Sequence, residues 1–310
     1  MKTILIMSKD GSLPNKEQLE LLKKYTDLEI ITHEGRLSEL TKLKKDTSEK
    51  LIGVDPDSFG WDMDGESIKD IPNVKAVFTQ STSYDWVKPN VLSKLGVKVV
   101  NCAGFSADAV AEYAIGMAMN VCRHLPLVIK NKWKVDWKAP KPMLLNGKVL
   151  GIIGLGRIGL RIAEVGSGIG MEVIYWSRKS RDSRFKYVSL NRLFKDSDVI
   201  IPALVENTET SKLIKDNLLK LVKPSSYLVG LNRIKVLWNE VKIIDLVQKG
   251  KIAGYAFEGD NAKPLPEYKG NIFALPPMVW YTKESLDNLL DMWVNNIVSF
   301  AQDKPINVVN

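Results

Sequence analysis

Three glycines, Gly154, Gly156 and Gly159, have the G-x-G-x-x-G spacing of a phosphate-binding turn. An apolar run, Val149 to Ile153, comes directly before them, and a helical pattern begins at once after them. Strand, tight turn and helix in this order predict that backbone N–H groups bind the pyrophosphate of a dinucleotide. A second predicted strand, Glu172 to Trp176, follows as a βαβ unit requires, which favours this interpretation over a purely structural glycine turn.

The residues after that second strand indicate which dinucleotide is bound. An acidic residue that bonds the ribose 2′-OH is expected about 20 residues after the glycine motif. That position holds Ser177, and its neighbours are Arg178, Lys179 and Arg181. A small hydroxyl beside cations favours a 2′-phosphate, which a carboxylate would repel. We therefore expect NADP(H), with NAD(H) as the open alternative; the other interpretation of the cations is a solvated loop.

Four further residues complete the expected cofactor-binding set. Arg157 and Ile158 begin the predicted helix after the glycines. Leu204 and Leu231 stand at the ends of two more predicted strands. All four are assigned to the same dinucleotide site.

The length of the chain indicates two domains. A chain of 310 residues exceeds what one hydrophobic core comfortably serves. Strand patterns that begin with Lys2 to Met7 alternate with helical patterns, of which Arg36 to Lys45 is one, and predict a smaller parallel sheet ahead of the glycine motif. The last predicted helix, Lys283 to Gln302, is expected to return and cover that sheet.

Composition excludes several classes of function. The formal charge of +8 comes from dispersed lysines, whereas nucleic-acid binding needs a concentrated basic stripe, so we expect anionic small molecules as ligands and no nucleic acid. We expect no membrane segment, because no apolar stretch reaches 18 residues, and a cytoplasmic location, because the N-terminal apolar run is too short for a signal peptide. Cys102 and Cys122 lack metal-type spacing and are expected to be buried, reduced thiols, with no metal site.

A series of motifs along the chain resembles a known family. The motifs are Ala109–Glu112, Trp133, Trp137, Leu145–Lys148, Asp198–Ile201, Arg233, Gly250–Gly254, Pro264–Pro266 and Trp280–Thr282. In this order they resemble the D-isomer-specific 2-hydroxyacid dehydrogenases, with glyoxylate and hydroxypyruvate reductases as the nearest type. The resemblance implies two doubly wound parallel-sheet α/β domains: a Rossmann cofactor domain (102–282) inserted into a flavodoxin-like substrate domain (1–101 and 283–310). It also implies an active site in the cleft and a homodimer.

The family resemblance implies an Arg, a Glu and a His as catalytic residues, and two of these are replaced. Arg233 matches the Arg, but Lys263 stands at the position of the Glu and Met278 at that of the His. The two replacements fit together, because the role of the Glu is to raise the pKa of the His and to orient its ring. Without the His, the Glu has no partner. Lys263 or Tyr281 is a candidate replacement acid. In the alternative interpretation, Lys263 faces water and Met278 fills space.

The resemblance also assigns a carboxylate-binding loop to Ser81, Thr82 and Ser83. Backbone N–H groups that follow a strand form a natural site for an anion. The other interpretation is a Ser- and Thr-rich turn without a ligand.

Two functions follow from these observations. The first is an NAD(P)-dependent oxidoreductase that reduces a small 2-oxoacid, such as glyoxylate or hydroxypyruvate, by hydride transfer, with Arg233 polarising the carbonyl. The second is a dinucleotide-binding sensor or partner protein that kept the cofactor pocket and lost the chemistry. Arg233 favours the enzyme, whereas Lys263 and Met278 favour the binding protein.

Overall fold

The computed structural model describes residues 1–204, 210–211, 213–231, 237–259 and 266–310. These residues form two compact units, one made of Met1–Ser106 with Thr282–Asn310 and the other of Ala107–Tyr281. The chain passes from the first unit to the second after Ser106, whereas the sequence prediction places the domain boundary after residue 101. Cys102 explains the difference, because it packs in a core of the first unit and its N–H donates to the Ser81 carbonyl at 2.9 Å.

The first unit is built on a parallel sheet. Its strands are β1 (Lys2–Met7), β2 (Asp27–Thr32), β3 (Lys50–Val54), β4 (Val74–Thr79) and β5 (Lys98–Val100). They lie in the order β2-β1-β3-β4-β5, so the chain starts inside the sheet and winds outward in both directions. β3 is buried throughout and β1 and β4 almost throughout, as expected for parallel strands that are covered on both faces.

The second unit contains a larger parallel sheet. Its strands are β6 (Val149–Ile153), β7 (Glu172–Trp176), β8 (Lys186–Tyr187), β9 (Val199–Pro202), β10 (Tyr227–Gly230), β11 (Gly254–Glu258) and β12 (Ile272–Leu275). In the described part of the chain they lie in the order β12-β11-β10-β9-β6-β7-β8. The winding reverses between β6 and β9, which makes the crevice beyond their carboxyl ends the expected ligand site of such a sheet. The predicted fold class, with two doubly wound parallel sheets, is confirmed.

Helices cover the faces of both sheets. Those in the described residues are α1 (Lys16–Tyr25), α2 (Thr41–Lys45), α3 (Pro89–Lys94), α4 (Ala107–Cys122), α5 (Leu125–Lys130), α6 (Arg157–Gly168), α7 (Leu190–Asp196), α8 (Asp216–Leu219), α9 (Glu240–Gln248) and α10 (Lys283–Ala301). α4 packs against α6, β10 and β11. The small buried residues Ala111, Ala114 and Ala118 let its backbone approach these elements.

The single helix predicted over Arg36–Lys45 is wrong. The structure has a short 3-10 turn, Leu37–Glu39, followed by α2, with a break at Leu40 where ψ is 67°. Leu37 and Leu43 are both fully buried. Residues six apart in one α-helix point about 120° away from each other. The break lets both leucines face the core.

α10 covers one face of the first sheet, as the sequence predicts. Trp293 on this helix is completely buried, and its indole N–H donates to the Phe78 carbonyl of β4 at 3.0 Å. Gly53 in β3 makes room for the ring, since a Cβ at that position would stand 2.7 Å from the indole. The close approach explains a glycine in the middle of a buried strand.

Candidate active site

The glycine turn connects β6 to α6, and the space available for a side chain differs at each of its three glycines. Gly154 has φ +99°, a backbone conformation that favours glycine, and a Cβ there would lie 2.6 Å from the Ala203 carbonyl oxygen. At Gly159 a Cβ would lie 1.9 Å from the Gly154 carbonyl oxygen, so helix and turn touch. At Gly156 a Cβ would meet nothing within 4 Å, and this glycine caps α6 without a side-chain bond. The turn is closed towards the protein and open at Gly156.

The other predicted cofactor residues border this turn or the end of a neighbouring strand. Arg157 is exposed and Ile158 half-buried in the first turn of α6, whose N–H groups have no carbonyl partner within the helix. Leu204 follows β9, and its Cδ2 would lie 2.6 Å from a Cβ on Gly154. Leu231 is buried just after β10. These residues stand at the carboxyl ends of β6, β9 and β10, and therefore at one edge of the sheet.

The predicted ribose loop follows β7. Ser177 is buried, and its hydroxyl accepts a hydrogen bond from the Ser180 N–H at 3.3 Å. Arg178 and Lys179 are exposed. Arg181 is also exposed, but it contacts its own loop and Tyr187. Its guanidinium lies 3.9 Å from the centroid of the Tyr187 ring and donates to the Ser177 carbonyl at 2.9 Å, so Arg181 braces the loop.

The side chains of the predicted carboxylate loop are turned towards the protein. The Ser81 hydroxyl donates to the Ser83 carbonyl at 2.6 Å, and the Thr82 hydroxyl donates to the Cys102 carbonyl at 3.1 Å. The Trp86 indole N–H donates to the same Ser83 carbonyl at 2.9 Å. The hydroxyls therefore hold the loop in shape.

Unlike the hydroxyls, the backbone N–H groups of this loop are largely without hydrogen-bond acceptors among the described residues. Within the described ranges, the N–H groups of Ser81, Thr82 and Ser83 have no hydrogen-bond acceptor. The preceding N–H, that of Gln80, is engaged by the Val54 carbonyl at 3.0 Å. Successive unpaired N–H groups after a parallel strand can bind a carboxylate.

The segment with Met278 is anchored by a residue that our sequence analysis missed. Glu258, the last residue of β11, is buried, and its Oε1 accepts hydrogen bonds from the N–H groups of Met278 and Val279, both at 2.7 Å. The Met278 side chain is 43% exposed. An acidic residue directly after the buried run Tyr255 to Phe257 was the signal that could have revealed this anchor.

Glu258 influences the ionisation of a neighbouring tyrosine. Tyr113 of α4 lies near it, and burial, followed by the negative charge of Glu258, raises the pKa of Tyr113 to about 12. The Tyr113 hydroxyl is buried and has no hydrogen-bond partner within the described residues. Glu258 is itself buried, so the anchor of the Met278 segment is a carboxylate shielded from solvent.

Of the other three candidate catalytic side chains, only that of Tyr281 lies within the described residues. Tyr281 is 61% exposed, and its N–H donates to the Met278 carbonyl at 2.9 Å, which keeps the two residues in one turn. Arg233 and Lys263 lie outside the described residues. The structure therefore brings Met278 and Tyr281 together and leaves the other two as sequence predictions.

The described residues contain neither a helix that could span a membrane nor a cluster of metal ligands. None of the helices has both the length and the apolar character needed to cross a bilayer. No group of three or more His, Cys, Asp or Glu side chains in the same ranges is arranged to hold a metal ion. Cys102 and Cys122 are both buried free thiols, and burial raises the pKa of each, that of Cys102 to about 12.

A parallel sheet with this glycine turn defines the class of dinucleotide-dependent α/β proteins. Comparison with known families identifies the family within this class. The family model described as "D-isomer specific 2-hydroxyacid dehydrogenase, NAD binding domain" matches residues 115–280. The chain belongs to the D-isomer-specific 2-hydroxyacid dehydrogenase family, which confirms the resemblance drawn from its motifs. It is an oxidoreductase that uses a nicotinamide dinucleotide.

Individual relatives match most of the chain. A glyoxylate reductase of Aeropyrum pernix is 29% identical, over 95% of this chain and 92% of the relative. A hydroxypyruvate reductase of Blautia hydrogenotrophica is 30% identical, over 80% of this chain and 82% of the relative. An acyclic imino acid reductase solved with NADPH and D-Arg has the same fold, with a TM-score of 0.81 at 24% identity, over 99% of this chain and all of that one.

Proposed function

We propose that the protein is an NADP(H)-dependent reductase of small 2-oxoacids. The observation that carries this proposal is the loop of Ser81, Thr82 and Ser83, whose three N–H groups lack acceptors among the described residues. Such a loop suits a substrate carboxylate. Family membership supplies the reaction class, and the names of the glyoxylate and hydroxypyruvate reductase relatives support the choice of substrate class.

The glycine turn fits a dinucleotide. The open face at Gly156 leaves space for a pyrophosphate beside the first-turn N–H groups of α6. Ser177, with Arg178 and Lys179 next to it, supports a 2′-phosphate, because no carboxylate stands there to repel it. The bound cofactor supplies the hydride. Leu204 and Leu231 are proposed to line its pocket with apolar surface.

The catalytic assignment extends the sequence prediction. Arg233 holds the substrate and polarises its carbonyl, because a guanidinium can bond two oxygens at once. Met278 has no exchangeable proton, so the alkoxide that forms must be protonated by another group. Lys263 and Tyr281 are the two candidates, and Tyr281 is exposed in the same turn as Met278.

Oxidation of NADPH and NADH against a panel of small 2-oxoacids tests this proposal. We expect turnover with NADPH that Arg233→Ala abolishes. Lys263→Ala or Tyr281→Phe should shift the pH profile, and Trp280→Phe serves as the control for the neighbouring ring. Faster turnover and tighter binding with NADH would contradict the assignment of Ser177, Arg178 and Lys179.

Replacement of Met278 by His is a sharper test of the site. General acid–base catalysis typically contributes about 10²- to 10⁴-fold in rate. If the site lacks only this group, Met278→His with Lys263→Glu should raise kcat at least tenfold, whereas Met278→Leu should leave it unchanged. A double variant as slow as the parent would show that His and Glu alone do not complete the site.

The second candidate function is a dinucleotide-binding sensor or partner protein. The exposed thioether of Met278, at the position where the family resemblance implies a His, favours it. This candidate predicts NADPH binding by fluorescence without turnover of any 2-oxoacid, together with binding that is unchanged in Arg233→Ala.

A homodimer and a cytoplasmic location also belong to this proposal. Trp133 and Trp137, in the segment after α5, are 72% and 89% exposed, and large exposed aromatic side chains are enriched where proteins associate. Sedimentation of the parent and of a Trp133→Ser, Trp137→Ser variant tests the dimer; a monomeric parent would remove it. Two buried free thiols suit a reducing compartment.

A further inference from the structure

A cavity of about 850 Å³ lies in the Ala107–Tyr281 unit, at the amino-terminal edge of its sheet. Its walls include residues at or just before the starts of four strands, namely Lys148, Asp198, Tyr227 and Asn271. The glycine turn follows the opposite end of β6. A strand of five residues spans about 16 Å, so the cavity is separate from the proposed cofactor site.

The charges that line this cavity do not cancel. Asp198 is already compensated, because one oxygen accepts from Lys223 Nζ at 2.6 Å and the other from the Val149 N–H at 2.9 Å. Lys141 and Lys148 also line the cavity, and neither has an ion-pair partner in the part of the chain that the structure describes. Two uncompensated ammonium groups make the cavity attractive to an anion.

The rest of the lining combines apolar side chains with hydrogen-bonded polar side chains. Leu127, Met143, Val247 and Ile252 contribute hydrocarbon surface, and prolines add to it. His124 Nε2 lies 3.0 Å from the Tyr227 hydroxyl oxygen, and burial lowers the pKa of His124. Burial therefore favours the neutral imidazole, which adds no cation.

The Asn271 amide, another polar group of the lining, is held by two hydrogen bonds. Its Nδ2 donates to the Val121 and Ala253 carbonyls at 2.9 and 3.1 Å. These bonds tie α4 to the residues before β11 and β12. The lining combines apolar side chains with fixed polar groups, and the volume lies between about 300 and 1,000 Å³, as in small-molecule sites.

We propose that this cavity binds a small monocarboxylate with an apolar chain, at a site distinct from the one for the 2-oxoacid. The carboxylate pairs with Lys148 and Lys141, and the chain packs on the apolar wall that includes Met143. The inference uses only this unit and does not depend on the proposed reductase activity.

Hexanoate is the probe, with uncharged hexanamide as its matched control. In protein labelled with ¹³C-methyl methionine, the Met143 resonance, assigned with Met143→Leu, reports on this cavity. Met63, fully buried in the first unit, is the reference. We expect saturable movement of the Met143 signal with hexanoate, at least tenfold weaker binding of hexanamide, and no movement at Met63.

Two variants localise the binding. Lys148→Gln should weaken hexanoate binding about tenfold, whereas Lys195→Gln, on α7, should leave it unchanged. Ser225→Trp adds bulk at an exposed position of the lining and should abolish binding without unfolding the chain. An unmoved Met143 signal, as a partner copy seated in the cavity would produce, overturns the proposal. So does equal binding of hexanoate and hexanamide, or of parent and Lys148→Gln.

Discussion

Two turns in this molecule follow central parallel strands and present backbone N–H groups at a carboxyl edge. One is the glycine turn, residues 154–159, after β6, and the other is the hydroxyl turn, residues 80–83, after β4. The glycine turn keeps its shape because Gly154 and Gly159 leave no room for a Cβ. The hydroxyl turn keeps its shape because side-chain hydroxyls and the Trp86 indole bond its own backbone and that of Cys102.

This difference shows that one chemical task can be met by local sterics or by tertiary hydrogen bonds. Replacement of Gly154 or Gly159 by another residue adds a Cβ where backbone atoms already stand. Loss of a hydroxyl or an indole N–H removes a bond worth about 1 kcal/mol and leaves the path of the chain available. Substitutions in the glycine turn should therefore affect folding or cofactor binding strongly, and those in the hydroxyl turn should mainly affect the substrate KM.

The largest effect is expected for Gly159→Ala. Its Cβ would stand 1.9 Å from a carbonyl oxygen, so turn and helix must separate, and the free energy of unfolding should fall by about 3 kcal/mol. Urea denaturation measures this change. Gly168→Ala is the matched control in the same helix, because a Cβ there meets nothing within 4 Å. If both variants unfold like the parent, steric closure does not hold this turn.

Gly156→Ala should separate folding from binding. A Cβ at this position has open space, so the free energy of unfolding should change by no more than about 1 kcal/mol. We expect NADPH binding to weaken more than tenfold, because the methyl group stands where the backbone must approach the pyrophosphate. Fluorescence titration gives the Kd, and an unaltered value would show that the cofactor does not approach Gly156.

Trp86→Phe tests the hydroxyl turn. The variant loses the indole N–H that donates to the Ser83 carbonyl, so the loop becomes less ordered, and the KM for the 2-oxoacid should rise about fivefold with little change in kcat. Trp61→Phe is the control, since its indole bonds exposed Asp57 instead. Equal KM values for the two variants would argue against bracing by Trp86.

Thr82→Val should have the smallest effect. It removes the hydroxyl that donates to the Cys102 carbonyl and keeps the branched shape, so we expect a loss of about 0.5 to 1 kcal/mol in unfolding free energy and a modest rise in KM. Thr82→Ser keeps the hydroxyl and should match the parent in both measurements. A larger rise in KM for Thr82→Val than for Trp86→Phe would reverse this ranking.

The same contrast explains what the sequence could predict. The glycine turn and its flanking strands were predictable because their demands are local: β6 and β7 span the residues that the sequence predicts. The inward bracing of the hydroxyl turn was not, since its partner at Cys102 is distant in the chain. Glu258 escaped notice for the same reason, because its bonds reach Met278 and Val279.

Two further differences have physical causes of the same kind. The helix predicted over residues 36–45 breaks because Leu37 and Leu43 must both reach the core, which periodicity alone did not show. Arg181 belongs to the basic run after β7 in sequence, yet it stacks on Tyr187, a partner supplied by β8. A strand of two residues has too weak a pattern to be predicted.

The burial of Trp293 has a consequence for the order of folding during synthesis. One face of the first sheet, which includes Leu5, Leu51 and Phe78, is covered by α10, and α10 leaves the ribosome after the whole Ala107–Tyr281 unit. The inserted unit can therefore complete its core first. The unit that begins the chain finishes last, and this apolar face lacks its cover until residue 293 emerges.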